Sequence, residues 1–236
     1  MPPNNNDAHR PSMHLTAAEG MAMIMPGPRL PMAQLVAAAP PGAGHAVLAL
    51  PGLGHGDPYT ALVRDFLIDI GYASFGWELG VNFGPTEHLI AGATERLIAL
   101  SERHGPVSIV GFSMGGLFAR LLAARMPDRV RRIVTVCSPI HEPARSFWLP
   151  MQPVFDLWGG DDLSRMAEEI RHPMPVPCTA LFSREDGLVN WSACVDSSET
   201  ADSIEITGPH VLIAQSADVL TILGETLARP LIPNGE

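Results

Sequence analysis

From residue 45 onward, short apolar runs alternate with longer amphipathic segments, the pattern of strands and crossover helices that build a parallel sheet. His45 to Leu50 predicts the first clear central strand. Tyr59 to Ile70 carries Leu62, Phe66, Leu67 and Ile70 at helical spacing, and Gly71 closes that helix. A strand is expected at Tyr72 to Phe75. Thr86 to His104 then places Leu89, Ala93, Leu97 and Leu100 on one stripe, with Gly105-Pro106 as its stop. Val107 to Val110 runs straight into Gly111, and helical periodicity resumes from Leu117 to Met126, where Pro127 ends it. Strands follow at Arg132 to Val136, Thr179 to Phe182 and Ser203 to Ile206, and a last amphipathic helix at Ala217 to Leu227.

Two stretches break this rhythm. The interval from about 140 to 176 is rich in proline and large apolar residues and poor in strand pattern, so it is expected to form a cap inserted in the domain. Residues 1–44 read as a polar tail and lead-in segment, the domain proper being 45–236. Within that lead-in, Pro26, Pro28 and Pro31 interrupt an apolar stretch from Met21 to Ala39. It falls short of the ~20 unbroken apolar residues that span a bilayer, and a short helix from Pro31 to Ala38 is expected instead.

Composition narrows the class. With 46% apolar and 17% charged residues, the 236-residue chain has ample material for one core. A net charge of −10 gives no purchase on nucleic acid. Cys137, Cys178 and Cys194 lack CxxC or Cys/His spacing, which argues for reduced, buried thiols rather than a disulfide framework or zinc site. The N-terminal residues lack the basic and apolar regions of a secretion signal, so a cytoplasmic address and no stable membrane insertion are expected.

Candidate chemistry centres on Gly111-Phe112-Ser113-Met114-Gly115, a G-x-S-x-G string between an expected strand and an expected helix. Alone such a string is weak, since turn serines are common in a glycine-rich chain. With a strand before it and a helix after it, Ser113 reads as a nucleophile on a strained elbow.

A serine nucleophile needs a base. His210 follows the last expected strand and precedes the last helix, whereas His55 and His141 precede any plausible acid and break the order Ser, Asp, His. The acid is expected on the loop after Phe182, where Asp186 stands before a glycine; neighbouring Glu185 is the alternative. Asp161 and Asp162 have no matching metal ligands and read as solvated residues ahead of a helix from Leu163.

Oxyanion donors are expected at the Met114 amide and, from the loop Pro51 to Gly56, at the Leu53 amide. The glycines of that loop fail the dinucleotide pattern at Asp57. No metal or cofactor is implied. Trp77 and the cap aromatics Phe147, Trp148, Phe155 and Trp158 are candidates to line a lipophilic substrate site, although packing of the cap's own core would use the same residues.

Leu50 to Gly54, Gly111 to Gly116, Ser183 to Val189 and Pro209-His210 together resemble an α/β-hydrolase of the esterase and lipase type, over roughly residues 45 to 228. Gly76 to Asn82, Cys137-Ser138-Pro139 and Val189-Asn190-Trp191 are similar to segments of bacterial lipase-like hydrolases. The chain departs from many relatives in having Pro51 where they carry histidine and Val211-Leu212 after the histidine. The resemblance implies a mostly parallel central sheet flanked by helices, with a short cap after the sixth strand of that fold. It also implies an esterase-type activity carried by Ser113, Asp186 and His210, and the apolar cap residues, if some face the cleft, point to a small-molecule carboxylic ester of short to medium, apolar acyl chain. Acyl transfer by the same residues, or ligand binding without catalysis, are the competing functions.

Overall fold

The computed structural model describes residues 10–25, 27–141, 143–148 and 160–231. Among these, six strands form one parallel sheet in the order β2-β1-β3-β4-β5-β6. They are β1 (Ala46–Leu50), β2 (Ala73–Gly76), β3 (Val107–Phe112), β4 (Val130–Val136), β5 (Cys178–Ser183) and β6 (Ala201–Ile206). β1, β3 and β5 are buried at every position, as expected of strands covered on both faces. Each expected strand is present, with ends differing by one or two residues.

Helices cover the two faces. On one, α4 (Glu87–His104) and α5 (Met114–Arg125) pack Leu89, Ala93, Leu97, Leu100, Leu117 and Leu121 against Leu48, Leu50 and Ile109. On the other, α2 (Met32–Ala38), α3 (Asp57–Asp69) and the last helix (Ala217–Ala228) close over Val47, Val110, Phe112 and Val134 with Val63, Phe66, Leu67, Leu220 and Leu223. The Thr86 hydroxyl caps α4 by accepting the Leu89 amide, and Gly105 ends the helix at φ 76°. α5 starts at Met114, three residues before the periodicity suggests, and its first ten residues are all buried.

Two features differ from expectation. The lead-in contributes a further helix, α1 (Met13–Ile24), within the stretch 1–44 read as a tail and lead-in. Its position beside the site is described below. The stretch from about 140 to 176 leaves the sheet after β4, between the strand that follows the Ser113 helix and β5. Its described parts are one turn, α6 (Pro143–Ser146), and α7 (Gly160–Arg171), which begins three residues before Leu163 and packs on α5. No helix among the described residues is long and apolar enough to cross a membrane.

The strand order changes direction between β1 and β3: β2 lies on one side of β1, and β3 to β6 on the other. In an open α/β sheet the crevice beyond the carboxyl ends at such a point is where ligands bind. Leu50 and Gly111 are register partners there, so the loop after β1 and the turn after β3 emerge side by side.

Candidate active site

Ser113 is the residue between β3 and α5, at φ 50° and ψ −119°, a conformation that L side chains rarely adopt. The close approach of strand and helix makes this turn specific to glycine at two neighbouring positions. A Cβ on Gly111 would strike the Gly115 carbonyl, and one on Gly115 would strike the Leu50 carbonyl oxygen. The Ser113 amide donates to the Val136 carbonyl at 2.8 Å, which ties the turn to the end of β4.

On the loop after β5, Asp186 is buried, and its Oδ2 lies 2.6 Å from Nδ1 of His210. Its Oδ1 accepts the amides of Leu188 (2.9 Å) and Val189 (2.7 Å), so both carboxylate oxygens are fixed. Glu185 turns outward instead and accepts the Gly208 amide at 2.7 Å. The structure therefore pairs Asp186, and not its neighbour, with the histidine.

Burial works to lower the pKa of His210, but the charge of Asp186 and its hydrogen bond, with the charge of Glu19, hold it above the ordinary value of 6.5. The other loop histidines face elsewhere: His55 is exposed with Nδ1 against the Leu53 carbonyl, and His141 bonds the Val195 carbonyl through Nε2. No hydrogen bond joins Ser113 Oγ to His210, whose ring is engaged through Nδ1 with Asp186.

Cys137, which follows β4 at φ 48°, completes this end of the sheet. Its Sγ, an Asp186 oxygen and a His210 nitrogen lie within 4.8 Å of one another. Burial, with the nearby Asp186 charge, pushes the thiol well above its ordinary pKa. The three cysteines are free and buried.

Neither the Leu53 nor the Met114 amide donates to a protein acceptor among the described residues. The loop that carries Leu53 is braced by Asn82, which the sequence reading did not single out as a site residue. Buried Asn82 donates through Nδ2 to the Pro51 carbonyl (2.8 Å), and its own carbonyl accepts the Gly54 amide (2.7 Å). Its Oδ1 also accepts the Gly84 amide at 2.9 Å. Asn82→Ala strands two buried polar groups and is expected to lower stability by about 1–3 kcal/mol, measured as the shift of a urea midpoint. An unchanged midpoint would show that the loop holds without this brace.

The aromatic candidates separate. Trp77 is fully buried, donates Nε1–H to the Gly80 carbonyl at 2.9 Å and packs edge-on against Phe118, so it is a core residue with no surface to offer a ligand. Phe147 is buried too, bridged to Val189 beside the acid loop. Trp148 is 43% exposed, and its amide donates to the Leu188 carbonyl at 2.8 Å. Phe155 and Trp158 lie outside the described residues.

The family model for the alpha/beta hydrolase fold matches residues 33–165, more than half of the chain. The chain belongs to the alpha/beta hydrolase fold family. Comparison of its sequence with curated proteins returns no match. Solved structures resemble this α/β hydrolase in fold at low identity. A structure from the work on the metagenome-derived lipolytic enzymes LipS and LipT superposes with a TM-score of 0.61 at 16% identity, covering 80% of this chain and 94% of its own. The monoacylglycerol lipase of Paleococcus ferrophilus gives 0.59 at 15%, covering 80% and 95%. Est1E from Butyrivibrio proteoclasticus, solved with ferulic acid bound, gives 0.58 at 16%, covering 77% and 87%. At these identities the likeness establishes the fold.

Proposed function

We propose that this α/β hydrolase cleaves carboxylic esters through an acyl-enzyme on Ser113. The observation that carries the reading is the buried 2.6 Å hydrogen bond between Asp186 and His210 Nδ1, set at the same end of the sheet as the strained Ser113 turn. With Nδ1–H donated to Asp186, the imidazole presents a basic Nε2. It takes the proton as Ser113 Oγ attacks the ester carbonyl and returns it to the leaving alcohol. The oxyanion is met by the amides of Leu53 and Met114. Water then repeats the sequence on the acyl-enzyme and frees Ser113.

Partly exposed Leu53 and exposed Trp148 are apolar surface for the acyl or alcohol group, favouring a short to medium apolar ester. The lipases and the esterase among the fold neighbours are consistent with that substrate class.

The test is intact mass spectrometry after exposure to a fluorophosphonate. One adduct per chain is expected, absent in Ser113→Ala. The labelling rate requires neutral His210, so it should fall as pH drops, with an apparent pKa above 6.5 because the folded environment favours the imidazolium. A folded wild-type protein that takes no label at Ser113 would overturn the proposal and leave ligand binding as the better reading.

A further inference from the structure

α1 is turned inside out relative to an ordinary amphipathic helix. Met13, Met21, Met23 and Ile24 are exposed, and the one buried residue is its only acid, Glu19. A carboxylate is buried at such cost only when its oxygens are satisfied. Here Oε1 accepts the amides of Gly187 (2.8 Å) and His210 (2.7 Å), and Oε2 accepts the amide of Val211 (3.0 Å). Thr16, one turn earlier, donates its hydroxyl to the Gly187 carbonyl at 2.8 Å. The helix lies so close that a Cβ on Gly187 would strike the Leu15 carbonyl.

These contacts fall on the two backbone segments that carry the acid and the base. Gly187 is the residue after Asp186, and His210 is bound through its own amide. Asp186 and His210 sit on different loops, so the angle of their hydrogen bond depends on the relative placement of those loops. We propose that Glu19 is a positioning residue for the hydrolytic site: it clamps the Asp186 loop to the His210 segment and places a second carboxylate beside the imidazole that must become charged. The role rests on the Ser113 reading given above. It makes α1 a working part of the active site.

The titratable groups around His210 come from every neighbouring element. Asp186 and Glu19 lie on the acid side, the Cys137 thiol at the end of β4. The Tyr59 phenol of α3 is pushed up by burial and held by Ala214 of the histidine segment. Asp218, in the last helix, is engaged with Thr207. Glu19 and Asp186 both favour the imidazolium.

The test compares wild type, Ser113→Ala and Glu19→Gln on p-nitrophenyl acetate across pH. Glutamine keeps the shape but replaces one acceptor oxygen by a donor that opposes the Val211 amide, and it removes the charge. The expected result is a kcat about 10- to 100-fold lower, from loss of alignment, with KM changed less than about twofold. The acid limb of kcat/KM should also move to lower pH, because one of the two charges favouring the imidazolium is gone. A purely structural Glu19 would lower the amount of folded enzyme and leave that limb where it was. Unchanged kcat and unchanged acid limb, with Ser113-dependent turnover intact in wild type, would overturn the role of Glu19 alone. Wild-type turnover that survives in Ser113→Ala would overturn the hydrolytic reading and the role of Glu19 with it. Should Glu19→Gln fail to fold, hydrogen exchange in wild type decides. Slow exchange of the Gly187, His210 and Val211 amides supports the clamp, and exchange at the rate of open loops overturns it.

Discussion

Asp186→Asn is expected to lower kcat for ester hydrolysis by about 10⁴-fold while leaving the fold intact. The size of the effect follows from how the carboxylate is held. Its Oδ1 already accepts the Leu188 and Val189 amides, and an asparagine would keep its carbonyl oxygen there. Its amide nitrogen would then occupy the place of Oδ2, 2.6 Å from Nδ1 of His210. Two donors cannot face each other, so Nδ1 would become the acceptor and the proton would move to Nε2. That tautomer has no lone pair to offer Ser113. The check is steady-state kinetics on an activated ester beside a circular dichroism spectrum. A kcat within about tenfold of wild type would mean that the loop rearranges to supply another acceptor, and the tautomer argument would fail.

The second large effect concerns stability. Arg120, in the middle of α5, is fully buried and donates to Asp196 Oδ2 at 2.6 Å and to the His172 carbonyl at 2.9 Å. It therefore ties the helix behind Ser113 to the chain just after α7 and to the segment before β6. Arg120→Met leaves Asp196 buried with no counter-charge, a loss of about 3–5 kcal/mol, which is a large share of the stability of a typical domain. Adding Asp196→Asn should recover part of it, since the buried charge is removed while Oδ1 can still accept from Ser198.

The wild-type pair also sets a pH dependence. Burial would raise the Asp196 carboxyl, but hydrogen bonds from Ser198 and Arg120 hold it below 3.8. Its contribution is thus present above about pH 4 and is lost as pH falls through the lower native value. Urea unfolding of the single and double variants reads these terms. Equal midpoints for wild type and Arg120→Met would show that the ion pair contributes nothing net.

The frame, and the placement of Ser113, Asp186 and His210 on turns at one end of the sheet, were legible because they obey local rules. A buried strand running into G-x-S-x-G, and an acid and a histidine on loops after later strands, each sit within a few residues of their own signal. The start of α5 was not legible, because Gly115 and Gly116 are poor helix formers, placed there by the closeness of Leu50 and Ser138 rather than by propensity. Trp77 was misleading, since an aromatic after a strand suits a pocket and a core equally well, and only its contact with Phe118 decides.

Asn82 and Glu19 carried no periodic signal at all. In Met13 to Ile24 the methionines and alanines outline no polar face, and the residue that matters is the one a pattern reading assigns to solvent. Its three amide partners lie far along the chain, so no window of sequence contains both sides of the interaction.

That separation has a bearing on how the molecule comes into being. Glu19 meets Gly187 across 168 positions and His210 across 191. Closing so long a loop carries an entropic cost that is repaid only after the intervening sheet has brought the far segments into place. During synthesis the first helix is made early and must wait for nearly the whole chain before its carboxylate finds the amides that satisfy it. The sheet does not depend on that encounter, so the two distant parts of the polypeptide can join late, once the far segments are in place.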